Sequence, residues 1–167
     1  MNRRNQLFFY NFKYAAYILL FLSIIKSAEA KEVVGRLERV SISHATMTLD
    51  AKIDTGAKNS SLNATNYHLS RKEEQIWVSF DVTSPDGKTI TLEKPIVRFV
   101  KIKRKEASIQ QRPAILLDVC LGKIVKQVEV NLVDRSNFNY QMLIGRTFLA
   151  GDFIVDVENA FTVEPHC

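Results

Sequence analysis

Residues 51–65, AKIDTGAKNSSLNAT, set one carboxylate on a Thr-Gly turn behind an apolar stretch. The acid is Asp54, and Thr55, Gly56 and Ala57 follow it. Gly56 allows the backbone to come close and aim its N–H groups at the acid, and the Thr55 hydroxyl is placed to hydrogen-bond within the turn. A second stretch of interest comes late, Met142-Leu143-Ile144-Gly145-Arg146, where apolar residues run into a glycine and a cation. One carboxylate alone does little chemistry. Two brought together cannot both ionise; they share a proton, so that one acts as base toward a water and the other as acid toward a carbonyl. Asp-Thr-Gly occurs once here, so the second acid has to come from a second copy across a two-fold axis. The plain alternative is that Asp54 closes an Asx turn in a scaffold without catalysis.

Other chemistries find little support. The three histidines, His44, His68 and His166, form no His-Glu-x-x-His, which leaves no zinc site of the common hydrolytic type. There is no Gly-x-Ser-x-Gly nucleophile elbow and no Gly-rich loop opening a helix. Cys120 lies in an apolar run, AILLDVCLG, which disfavours a thiolate. Neither a metal nor a cofactor is expected.

The first thirty residues carry a targeting pattern. Arg3 and Arg4 open a positive region, Tyr14 to Ile25 is an apolar run, and Ala28-Glu29-Ala30 supplies small residues at the −3 and −1 positions of a cleavage site. The run is short for a membrane span, which takes about 20 residues. Residues 1–30 therefore read as a secretory signal peptide and 31–167 as a single domain, with a periplasmic location. An uncleaved leader would instead anchor the chain in a membrane. The leader removes a net +3 of the chain's +5, and the remaining +2 gives no argument for nucleic-acid binding. An exported chain meets an oxidising compartment, where Cys120 and Cys167 either bridge or stay as one buried and one exposed thiol.

The elements that must position Asp54 read as strands. Val33 to Ile42 is rich in β-branched residues. Ala45 to Ile53 alternates Met47, Leu49, Ala51 and Ile53 with polar partners, and Ile76 to Val82 alternates as well. Thr89 to Leu92 and Ile96 to Ile102 follow the Pro85-Asp86-Gly87 turn. Ala114 to Leu121 and Ile124 to Val133 form a hairpin around Gly122-Lys123. Phe153 to Val157 and Ala160 to Val163 close the chain. Residues 58–74 are polar and read as a short strand, then a loop or one helical turn. Thr147 to Ala150 reads as a single turn ending at Gly151. Many short strands with turn signals predict an all-β barrel or sandwich.

The sequence resembles the retropepsin-like aspartic peptidases. Asp54-Thr55-Gly56-Ala57 with Ser60-Ser61-Leu62, then Leu143-Ile144-Gly145-Arg146-Thr147-Phe148-Leu149, look like the catalytic turn and the strand that crosses behind it. The nearer likeness is to bacterial proteins often labelled "ATP-dependent zinc proteases". It runs through Lys52-Ile53-Asp54-Thr55-Gly56-Ala57, Arg112-Pro113, Leu132-Val133-Asp134-Arg135-Ser136-Asn137, Tyr140 and Val155-Asp156, over about residues 33–163. No zinc ligands and no ATP loop support that label. Gln141 replaces a proline common before the Met-Leu segment.

The resemblance implies a closed, single-lobed, retropepsin-like barrel. It implies an aspartic-type endopeptidase acting on a peptide or protein as a homodimer, with Asp54 from each protomer in the dyad. Thr55 and Gly56 hold the turn, while Ala57, Ile144, Gly145 and Arg146 support it. Arg146 is expected to meet a carboxylate near the dimer contact or beneath the turn, with Asp134 and Asp156 as candidates. Some relatives trim glutamate tails, which implies acidic or glutamate-rich peptides. Lys101-Ile102-Lys103-Arg104-Lys105 either attracts such peptides or is a solvated hairpin tip, and Trp77 reads as core. The rival reading is a periplasmic peptide-binding module on the same barrel, without catalysis.

Overall fold

The computed structural model describes residues 30–42, 47–104, 107–134 and 138–167, with backbone alone over 102–104 and 107–109. The leader, His44 and the Arg135-Ser136-Asn137 part of the motif lie outside the described residues.

Eleven strands and one short helix make up the described chain: β1 (Glu32–Gly35), β2 (Leu37–Ile42), β3 (Met47–Ile53), β4 (Ser60–Asn63), β5 (Thr65–Lys72), β6 (Gln75–Thr83), β7 (Thr89–Arg104), β8 (Ala107–Leu121), β9 (Ile124–Val133), β10 (Met142–Ile144), α1 (Arg146–Leu149) and β11 (Phe153–Asp156). Six of them close on themselves in the order β2-β3-β10-β4-β9-β8, and β8 returns to β2 through Ser41 with Cys120 and Ile42 with Val119. The expected closed barrel is present. β7, β6 and β5 continue the sheet beyond β8. β1 and β11 form a separate parallel pair.

Side-chain alternation explains the closure. In β3 every second residue is buried, from Met47 through Leu49 and Ala51 to Ile53, which is how a strand with one face on a core must read. Val128, Val130 and Leu132 of β9 and Ile115, Leu117 and Val119 of β8 fill the same interior. β10 has only three residues, yet Met142 and Ile144 are fully buried. Burial of each is worth about 2 kcal/mol, enough to seat so short a strand between two neighbours.

Four readings of the sequence need correction. Residues 65–72 are a strand, not a loop or helical turn: β5 pairs with β6 from Thr65 opposite Asp81 to Lys72 opposite Gln75, although most of its side chains are exposed. Thr89 to Leu92 and Ile96 to Ile102 belong to one long strand, β7, whose first half pairs with β6 and second half with β8. The change of partner coincides with a bulge between Ile96 and Arg98. Ala160 to Val163 is not a strand. Phe161 has φ +54°, and the segment lies along β2 through the Phe161 N–H to Leu37 O at 2.7 Å. Trp77 is partly exposed, on the polar face of β6 opposite Ser70 and Pro95, with the Lys72 ammonium 4.8 Å from its ring centre.

The chain end is strapped to the barrel. Cys120 and Cys167 form a disulfide across 47 positions, a loop length for which a bridge contributes about 2–4 kcal/mol. Glu38 is fully buried, and its carboxylate accepts from the N–H groups of Gly35, Thr162 and Val163 and from the Thr162 hydroxyl. These four donors supply the hydrogen bonds that a buried carboxylate requires. Residue 101 lies on the outward half of β7, near the tip of the β7–β8 hairpin, and Lys105 lies outside the described residues.

Candidate active site

Asp54 follows directly on β3. Its N–H donates to Ile144 O at 2.9 Å, which continues the parallel β3–β10 ladder in which Met142 faces Ala51 and Ile144 faces Ile53. The chain then turns. Gly56 N–H donates to Asp54 Oδ1 at 2.9 Å and Ala57 N–H to the same oxygen at 3.2 Å. Among the described residues nothing else bonds this carboxylate, so Oδ2 remains open. Asp54 is half-buried while Thr55 and Gly56 are exposed. A Cβ on Gly56 would lie 3.1 Å from Asp54 Oδ1, so glycine gives the acid its room.

The late segment stitches this loop down. Arg146 N–H donates to Ala57 O and Thr147 N–H to Lys58 O, both at 3.0 Å. The Thr147 hydroxyl adds a bond to Lys58 O at 3.1 Å, and Gly145 N–H donates to Ser60 Oγ at 3.2 Å. A Cβ on Gly145 would sit 2.7 Å from the carbonyl carbon and oxygen of Asn59, so the two backbones touch. The N-terminal amides of α1 are thereby satisfied by loop carbonyls and by Ser60. At its other end the Lys126 ammonium donates to Phe148 O at 2.5 Å and Ala150 O at 3.3 Å and pairs with Asp152, a cation where the helix dipole favours one.

Two expectations are corrected. Arg146 does not meet Asp156: its Nη1 donates to the carbonyls of Thr55 and Gly56, each at 2.8 Å. Asp156 instead accepts from Asn159 Nδ2 at 2.7 Å and Glu158 N–H at 2.9 Å. A guanidinium carries several donors on a rigid fork, and exposed turn carbonyls satisfy them as well as a carboxylate does. Nor does the Thr55 hydroxyl lock the turn, for it makes no hydrogen bond among the described residues; Thr55 contributes its carbonyl. Asp54, Thr55, Gly56, Ala57, Ile144, Gly145 and Arg146 are all brought together.

Three further residues join the loop without a motif to announce them. Asn59 Nδ2 donates to Glu129 Oε1 at 3.2 Å. Arg98 grips Glu129 with Nε on Oε2 at 2.9 Å and Nη2 on Oε1 at 2.5 Å. This carboxylate holds the guanidinium pKa above its usual value, first by side-chain hydrogen bonding and then by charge. Seventy positions separate Asn59 from Glu129, so only strand register reveals the pair.

Residues 33–166 match the family described as RimB-like, retropepsin-like aspartic endopeptidase RimB. A probable alpha-L-glutamate ligase of Shewanella halifaxensis is 30% identical over 116 residues, 68% of this chain and 25% of the ligase. One of Desulfotalea psychrophila is 29% identical over 131 residues, 76% of this chain and 28% of the ligase. The chain thus spans about a quarter of the length of these curated relatives. A Legionella pneumophila crystal structure, of a protein described as of unknown function, superposes with TM-score 0.69 at 32% identity, covering 81% of this chain and all of the other. With the barrel, the Asp54 turn and the crossing β10 segment in place, the chain belongs to the RimB-like family of retropepsin-like aspartic endopeptidases.

Proposed function

We propose that this chain is an exported aspartic-type endopeptidase that hydrolyses peptide bonds in acidic or glutamate-rich peptides, with Asp54 from two protomers as its dyad. The observation that carries the reading is the Asp54 carboxylate itself. One oxygen is fixed by the Gly56 and Ala57 amides and the other is left open, on a loop tied to the segment after β10. A dyad needs this arrangement: a carboxylate oriented by backbone donors, with an oxygen free for a water or a shared proton. The substrate class is supported by the names of the relatives. In them a region like this one is part of a larger protein named for joining glutamate, and a hydrolase of glutamate-rich chains would act on that class of product. Export and a periplasmic location rest on the leader pattern.

A second reading, a peptide-binding module without catalysis, is favoured by the single Asp54 per chain. Asp54→Asn separates the two. An amide cannot exchange the proton that the reaction requires, yet it is nearly isosteric, so folding should survive while cleavage is abolished. The measurement uses protein recovered from the periplasm, whose mass should correspond to a start at Lys31. Cleavage of glutamate-rich peptides is followed by mass spectrometry from acid to neutral pH. Undiminished cleavage by a folded Asp54→Asn would sink the aspartic mechanism.

A further inference from the structure

We infer that Glu129 is a positioning residue for the catalytic loop, clamped by Arg98 and acting through Asn59; the catalytic part of this inference rests on the aspartic reading above. The contact runs across four neighbouring strands. Arg98 is on β7, Glu129 on β9, and Asn59 directly precedes β4, while β8 lies between β7 and β9. Arg98 faces Ala114 on β8, and Ala114 faces Asn131 on β9, two residues beyond Glu129. A side chain as small as Ala114 leaves a path across β8 for the guanidinium.

The bulge in β7 makes this possible. Ile96 faces Ile115 and is buried in the core, yet Arg98, two positions on, faces Ala114 rather than Pro113. In a regular strand Arg98 would share the inward face of Ile96. The extra residue, Val97, is turned out to solvent, and Arg98 is re-aimed to the outer face, where Glu129 waits. Bulges commonly re-aim a side chain near a functional site. The paired carboxylate is three-quarters buried, at 25% exposure.

Glu129 has both oxygens on Arg98 and one on Asn59, and Asn59 is the residue whose backbone touches Gly145. The far end of the Asp54 loop is therefore set by a charge-assisted, two-pronged clamp, a stronger and more directional tie than a neutral hydrogen bond. Geometry at a reacting centre is sensitive to such ties: a shift of about 1 Å can cost about a hundredfold in rate.

The test compares the wild type with Glu129→Gln, Arg98→Gln, Arg98→Lys and the double Glu129→Gln/Arg98→Gln. Amide hydrogen exchange of residues 55–60 is read beside the core amides of β8, and this readout does not depend on activity. Roughly tenfold faster exchange confined to residues 55–60 is expected in both single Gln variants, with partial rescue by lysine and no further gain in the double variant. Unchanged exchange in the loop would overturn the inference, and so would acceleration that is equal in the core, because Glu129 would then serve general stability only. On a cleaved peptide, kcat should fall about tenfold while KM stays within about twofold, since the loop orients the acid rather than the bound chain. A wild type that cleaves nothing would count against the peptidase reading, and the exchange data would still decide the clamp.

Discussion

Asp54 has two amide donors on one oxygen and none on the other, and that asymmetry depends on residues too small to be noticed one at a time. Gly56 leaves space beside Oδ1, and Gly145 lets the chain after β10 rest on Asn59. Gly145→Ala tests the second contact. Its Cβ would fall 2.7 Å from backbone atoms that have no flexible end to yield, so the Asp54 loop and α1 must separate. The expected cost is on the order of 2 kcal/mol of stability, with cleavage reduced more than the fold is weakened. Denaturant melts beside cleavage rates check this; a variant as stable and as active as the wild type would show that the contact is not needed. At this scale the sequence was informative where residues adjacent in the chain make the site. Asp54 to Ala57 and Ile144 to Arg146 could be read as two halves of one unit. Partners that depend on side-chain orientation are not legible in the sequence. The resemblance gives Arg146 a carboxylate partner, while the acceptors it meets in space are the carbonyls of Thr55 and Gly56. Arg98 and Glu129 gave no signal, since neither pattern nor spacing records a bulge.

Elements were legible where one face is dry. β3 and β9 alternate because one side packs on the core, and the sequence pattern matches the end of β3 at Ile53 and both ends of β9. β5 leaves no periodic signal because nearly all its side chains meet solvent; its backbone pairing with β6, not burial, makes it a strand. Ala160 to Val163 has strand-like letters, but its amides go to the Glu38 carboxylate and to Leu37 O, and a positive φ at Phe161 breaks the extension. The turn after β11 carries a pH-dependent contribution. Asp156 is held below the ordinary carboxylate value of 3.8, first by the Asn159 carboxamide and then by the Glu158 N–H. A carboxylate whose folded value lies below its unfolded one stabilises the fold above the unfolded value, and the contribution is lost as pH falls through the folded value. Asp156→Ala should therefore lower the melting temperature at neutral pH, and the gap to the wild type should narrow as pH drops below 3.8. Thermal melts between neutral and strongly acidic pH measure it; a gap that stays constant would mean that the Asp156 charge contributes nothing to the fold.

At the scale of the whole molecule, the proposed function needs two acids and the barrel positions one. Within one chain there is a single Asp-Thr-Gly turn, with an open oxygen on its acid. The barrel's interior is filled by its own strands, and its end is strapped by Glu38 and the disulfide. Association of native protomers should then show in folding and in catalysis alike. The melting temperature and the rate per protomer would both rise with total protein, the rate levelling off once dimers dominate. Mixing gives a sharper test. Folded Asp54→Asn is incubated in about ninefold excess with wild type long enough for subunits to exchange, at a concentration where dimers dominate. Random pairing leaves only about a tenth of wild-type protomers with a wild-type partner, so their activity should fall about tenfold. The mixed pairs hold one acid and one amide, which cannot share and return a proton as two acids do. A control with inert protein at the same mass excludes crowding and adsorption. Activity that is indifferent to the excess variant would mean that each Asp54 works without its counterpart, and the two-fold dyad would have to be abandoned even if Asp54→Asn alone were inactive.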